Sequence, residues 1–214
     1  MPAYRSTDEA EIRDAAVARV RLLRPGHRII HEINVAGTGS NRIDFIAVGQ
    51  SEIIAVEVKS AKDKLDRLCA QIMAMKQVAH HVVAAVHEKF LVPAPEAWRR
   101  SVHSMLPDMP ATGAAHPRHT YIWVYPEADR RLVYHNDLPR EPAPMSALPH
   151  TAMRMLWANE LREVCDELGL GVSGSATMGH CITKLRWMAN GGDLTEGICR
   201  ALRRRNCVEA DAPQ

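Results

Sequence analysis

Residues 41–60 read NRIDFIAVGQSEIIAVEVKS: two apolar runs around Gly49-Gln50-Ser51, with ionisable residues at their outer ends. RIDFIAV and EIIAVEVK are short and rich in β-branched residues, so both are expected to be strands joined by that turn. Side chains alternate along a strand, which places Ile53, Ala55, Glu57 and Lys59 on one side and Ile54, Val56 and Val58 on the other. In a tight antiparallel hairpin the start of the first strand lies beside the end of the second. Asp44 then comes close to Glu57 and Lys59.

Working outward, DEAEIRDAAVARVRLL (8–23) carries Ile12, Ala16, Val20 and Leu23 at helical spacing and is stopped by Pro25-Gly26. HRIIHEINV follows as a first strand, ahead of a loop over 37–41. After Lys59, Ser60 with Asp63 three positions later reads as a capping box opening a helix through AKDKLDRLCAQIMAMKQVA. Its apolar stripe is Leu65, Leu68, Cys69, Ile72 and Met75, and Asp63, Arg67 and Gln71 form a separate polar line. HHVVAAV returns as a strand, so strand, helix and strand make one crossover unit with parallel neighbours.

Residues 91–118 are proline-rich and are expected to be a loop-rich connection with one short helix near EAWRRSV. TYIWVY and RRLVYH read as a hairpin. The prolines of LPREPAPMSALP mark a linker, so the division expected is a core over 1–138, a linker over 139–147 and a helical region over 148–214. In that last region MRMLWANELREVCDEL, HCITKLRWMA and DLTEGICRALRRR read as helices, the third with Asp193 and Glu196 in capping-box positions.

Two carboxylates and a lysine at one sheet end suit phosphodiester hydrolysis with a divalent metal. The carboxylates hold a hard cation such as Mg²⁺ or Mn²⁺, and the lysine orients the attacking water and offsets developing charge. A lone Glu-x-Lys is common and would ordinarily be a surface ion pair. Here the following segment adds Asp63, Arg67 and Gln71 at the same sheet end, and convergence from several elements is what a site looks like.

RIDFIAV, the turn, IIAVEVKS and DKLDRLCAQI together resemble the PD-(D/E)XK phosphodiesterase superfamily over residues 8–90, with RID where the motif's name has a proline. The fold class this implies is α/β: a restriction-endonuclease-like mixed sheet flanked by helices, with a small helical C-terminal region. By resemblance Asp44 and Glu57 are the metal ligands, Lys59 is the catalytic lysine, and Gln71 matches a polar helix residue near metal or phosphate. Glu32 and Glu11 match accessory acids of different branches, and both stay open. EVKSAKDKLDRLCAQI with the later LWANEL is similar to a bacterial and phage-borne branch of these nucleases. The expected function is a metal-dependent nuclease acting on nucleic acid, DNA first, with dimerisation one way to cut two strands. The alternative is an inactive nuclease-fold module of a phage or defence system that binds DNA or protein.

The net charge of +2 is too small to announce a nucleic-acid partner, so placement must carry that expectation. Candidate phosphate contacts are Arg42 and Arg67 near the acids, Lys184 and Arg186 in a segment weakly similar to a SAP-type helix-loop-helix, and Arg203, Arg204 and Arg205 in the basic tail. A helical cap packed on the core explains the C-terminal segment equally well.

No run reaches the ~20 apolar residues of a membrane span, and the charged N-terminus lacks a signal core, so a cytoplasmic protein without a membrane partner is expected. The five cysteines form no CxxC pair and read as buried reduced thiols. The eleven histidines offer no zinc spacing: His80 and His81 would face opposite ways, and His27 and His31 flank a strand start. Trp98, Trp123, Trp157 and Trp187 read as core or interface anchors.

Overall fold

The computed structural model describes residues 6–35, 42–93, 96, 104–106, 120–126, 138–139 and 147–214. Helix α1 (Thr7–Leu23) leads into strands β1 (Arg28–Asn34), β2 (Arg42–Val48) and β3 (Ile53–Lys59), then α2 (Leu68–Met75) and β4 (His81–His87). Two short strands follow, β5 (Val92–Pro93) and β6 (Ser104–Met105), which pair with each other, and then β7 (Thr120–Tyr125). A 3-10 turn (His150–Met155) precedes helices α3 (Ala158–Glu167), α4 (Met178–Met188) and α5 (Gly191–Arg204).

The main sheet has the order β1-β2-β3-β4-β7. Strands β1, β2 and β3 form an antiparallel meander, and β3–β4 and β4–β7 are parallel, so the sheet is mixed. Every residue of β3 is buried, as expected of a central strand covered on both faces. On one face α1 lays Ile12, Ala16 and Val20 against Phe45, Ala47, Ile54, Val56 and Val83. On the other, α2 and the C-terminal helices pack on Ile46, Val48, Ile53 and Ala55 in one continuous core containing Ile72, Leu161, Leu185 and Ile198. The fold is thus α/β, a five-stranded mixed sheet between helical layers.

Two devices tie the C-terminal region to the sheet. Arg28, fully buried, donates through Nη1 to the Leu202 and Arg203 carbonyls at 2.7 and 2.9 Å, satisfying the unpaired C-terminal carbonyls of α5 where the helix dipole favours a cation. The tail then runs along the outer edge of β1: His31 N–H donates to the Glu209 carbonyl, Asp211 N–H to the Ile29 carbonyl, and Ile30 bridges Ala210.

Several expectations change. Ser60 and Asp63 form a closed turn rather than a helix start: Ser60 N–H and Oγ both bond one Asp63 carboxylate oxygen at 2.7 Å, and Asp63 N–H donates to the Ser60 carbonyl. Such side-chain bonds to the local backbone compete with helix, so α2 begins only at Leu68 and Asp63 lies outside it. Cys69 is exposed and Cys207 half-buried, leaving only Cys165, Cys181 and Cys199 as buried thiols. The expected helix over 153–168 is a 3-10 turn followed by α3 from Ala158. Asn190, not Asp193, caps α5, accepting from Asp193 N–H at 2.9 Å. Trp123 is buried as expected, whereas Trp157 and Trp187 are 52% and 81% exposed.

The helix near EAWRRSV, the strand RRLVYH, most of the linker and Trp98 lie outside the described residues. Among those described, no helix is long and apolar enough to cross a membrane.

Gly197 shows how tightly α5 seats. A Cβ there would lie 2.8 Å from the buried Val164 Cγ1 of α3, and a β-branched neighbour has little rotameric room to yield. Gly197→Ala is therefore expected to destabilise by about 1–3 kcal/mol despite alanine's better helix propensity, read as a lower urea midpoint.

Candidate metal centre

The candidate site forms where β2 and β3 part. Their ladder runs in register from Val48–Ile53 to Phe45–Val56, and the next pair in that register is Asp44 with Glu57. Beyond Phe45 the strands diverge, and the Val58 N–H donates to Asp44 Oδ2 at 2.8 Å. One carboxylate thus fills the fork.

Strand alternation also slips here. In β1, Ile30 and Ile33 join the same core layer, and in β2, Ile43 and Ile46 do. The cause in β1 is Glu32, at a φ of 56°, in the left-handed region that a non-glycine residue enters only at a cost of about 1–3 kcal/mol. Glu32 stands opposite Asp44, between the pairs His31–Phe45 and Ile33–Ile43.

Glu57 follows the alternation expected for β3. It shares the Ile53 and Ala55 side and accepts from Lys59 Nζ on Oε1 at 2.7 Å and from Gln71 Nε2 on the same oxygen. Both acids are buried, Asp44 at 4% and Glu57 at 3% exposure. Burial, and then the Asp44 charge, push the Glu57 carboxyl up to about 7 against the opposing pull of Lys59 and Gln71. These groups line a cleft of about 680 Å³ with Asn34, Arg42, Lys62, Lys64 and Arg67 among its walls. Lys62 lies within the turn closed by Ser60 and Asp63, and Lys64 and Arg67 follow it before α2.

The donor set suits a hard divalent cation. Two buried carboxylates approach one another at a cost in repulsion that such a cation relieves, and oxygen ligands are what it prefers. Gln71 Oε1 is also buried, with no hydrogen-bond partner among the described residues.

Of the residues singled out in the sequence, Asp44, Glu57, Lys59 and Gln71 converge, with Glu32 beside them and Arg42 and Arg67 on the cleft wall. Glu11 does not join them: it is exposed, while Glu9, two positions earlier, is buried and bonds Arg13. The helix acid of the site is therefore Glu9. Arg13 was not anticipated, although Glu9 and Arg13 fall on the same stripe as Ile12, Ala16 and Val20, and a charged pair on a buried stripe is a legible signal.

Of the distal basic residues, Arg205 is committed to the interior and the others lie away from the cleft. Arg205, expected at a phosphate surface, is 7% exposed and bonded to both Glu160 oxygens at 2.5 and 2.7 Å. Arg204 pairs with Glu167 at 2.9 Å. Arg203 lines a hollow beside Gly49 and Gln50, at the far end of β2 and β3 from Asp44. Lys184 Nζ donates to the Gly171 carbonyl at 3.1 Å, and Arg186 is exposed on α4; neither lines the cleft.

At that far end, Glu52 is 1% exposed and meets Arg24 Nε at 2.7 Å, His27 Nε2 at 2.9 Å and His81 Nε2 at 3.1 Å. His81 is itself buried in this network, at 2% exposure.

The model of a family described as bacteriophage P4 protein cII matches residues 6–103, just under half of the chain, from α1 through the meander, α2 and β4. The segment therefore contains every residue of the candidate centre. No curated protein and no solved structure gives a significant match.

Proposed function

We propose that the protein is a divalent-metal-dependent nuclease of the PD-(D/E)XK type that hydrolyses phosphodiester bonds in DNA. The observation that carries this reading is Asp44 one step beyond the Phe45–Val56 pair, opposite Glu57 where the ladder ends, with Lys59 and Gln71 on the Glu57 carboxylate and Arg42, Lys62, Lys64 and Arg67 beside Asp63 and Asp66 on the cleft wall. Asp44 and Glu57 would hold the ion, which supplies Lewis-acid polarisation of the phosphate and a stronger nucleophile at neutral pH.

The chain's own groups have separable duties. Lys59 fixes the Glu57 carboxylate at 2.7 Å and places a positive charge where negative charge grows on the phosphate. Gln71 holds the same carboxylate from α2. Lys64 and Arg67, with Arg42 and Lys62 once released from Glu32 and Asp8, attract the backbone without reading sequence, so binding should weaken with salt.

The test is incubation of the purified protein with Mg²⁺ or Mn²⁺ and linear, nicked, single-stranded and branched DNA. Metal-dependent cleavage of at least one form is expected; all four left intact would overturn the reading, and retained binding would then mark a DNA-binding module. Lys59→Met is expected to slow cleavage by roughly 10²–10³-fold while leaving Mn²⁺ affinity within a few-fold, as measured by cleavage rate and calorimetry on the same preparation.

A further inference from the structure

Arg13 enters the centre from α1, on the face of the sheet opposite α2. Its guanidinium is fully buried and meets three carboxylates: Nη2 bonds Glu9 Oε1 at 2.6 Å and Asp44 Oδ1 at 3.3 Å, and Nη1 bonds Glu32 Oε1 at 2.9 Å. Nη1 also donates to the Asp44 main-chain carbonyl at 3.2 Å. Ligand oxygens of Glu9, Glu32 and Asp44 all lie within 4.8 Å of one another, a spacing at which three acids could hold a cation.

We infer that Arg13 is the resident cation of this acidic pocket, a positioning residue that fixes Asp44 and restricts the centre to one divalent ion, on the Glu57 side of Asp44. The inference rests on reading the site as a divalent-metal centre. Three observations support it. First, the guanidinium is permanently charged and its planar fork is used on both Nη atoms, so each of the three acids already faces a positive partner. Second, a divalent ion among the same oxygens would sit against a like charge in a place that water does not screen. Third, Glu32 keeps its strained backbone where its carboxylate bridges Arg13 and Arg42, so the strain sits on a residue committed to arginine.

Mn²⁺ alone decides the matter, titrated into the full chain by calorimetry with free Mn²⁺ followed by electron paramagnetic resonance. The wild type is expected to bind one ion. Glu9→Gln keeps an acceptor for Arg13 and removes a candidate ligand charge, so it should still bind one ion with affinity changed only a few-fold, whereas Glu57→Gln should lose it. Arg13→Met, if folded, should bind two. Two ions in the wild type, a drop of about tenfold or more in Glu9→Gln, or a single ion in folded Arg13→Met would each overturn the inference. If Arg13→Met does not fold, the Glu9→Gln titration decides. No ion bound by the folded wild type would remove the metal-centre reading itself, and the inference with it; two ions would remove the inference alone.

Discussion

Glu57→Ala is expected to slow metal-dependent cleavage by roughly 10³-fold or more, the scale of losing a group that organises charge at a reacting phosphate. The reasoning is positional: Glu57 accepts from both Lys59 and Gln71, so its removal releases two further groups. The same residue sets a pH dependence. Its carboxyl is raised to about 7 in the folded chain, from an ordinary value near 4.5. Ionisation is therefore harder folded than unfolded, and in metal-free protein this group contributes most to stability below about 4.5 and withdraws that contribution as pH rises through about 7. Metal-free protein should lose thermal stability over that window, Glu57→Gln should flatten the loss, and Mn²⁺ should reverse it. Because the cation takes the ionised carboxylate, Mn²⁺ affinity should climb over the same window. A wild-type melting temperature that is level from pH 4.5 to 8 without metal would contradict the placement of the two acids.

Glu52→Gln should produce the largest loss of stability, about 3–5 kcal/mol, read as a lower urea midpoint and a melting temperature lower by roughly 10 °C. Glu52 is buried with Arg24, itself 3% exposed, and the amide leaves a buried guanidinium without its counter-charge. Here the pH sign reverses. Burial alone would raise the Glu52 carboxyl, but hydrogen bonds with His27, His81 and Arg24 outweigh it and hold it well below the usual carboxylate range. Its stabilisation is fully present above about 4.5 and is lost as the medium turns more acid. Acid unfolding of the wild type should accordingly be steeper than that of Glu52→Gln. The two buried acids stand at opposite ends of β3 and pull the stability profile in opposite directions.

The hairpin, the crossover unit and the Asp44–Glu57–Lys59 grouping were legible in the sequence because each rests on local signals: a period of two, a turn at Gly49 and an apolar helix stripe. The helix acid is less legible, because the apolar stripe of α1 is marked by Ile12, Ala16, Val20 and Leu23, and hydrophobicity does not separate Glu11, off that face, from Glu9 on it. Glu9 and Arg13 lie on the buried face, but a stripe counted by hydrophobicity passes over a charged pair that is neutralised inside. The late start of α2 escaped for a different reason. Ser-x-x-Asp fits a cap and a closed turn equally, and only the backbone geometry decides between them. The arginines at the end of α5 read as a phosphate surface because sequence shows charge but not partners; Glu160 and Glu167, roughly 40 residues earlier, take two of them.

The tail segment at residues 209–211, bridged to β1 through Ile30 and Ala210, bears on how two copies of this chain could meet. An open β1 edge would offer unpaired N–H and C=O groups to a second sheet, the simplest route to a continuous ten-strand dimer. With Glu209 and Asp211 bonded to His31 and Ile29, that route is closed from within each copy. Two copies therefore cannot join their sheets through that stretch of β1, which leaves β7 as the other sheet edge.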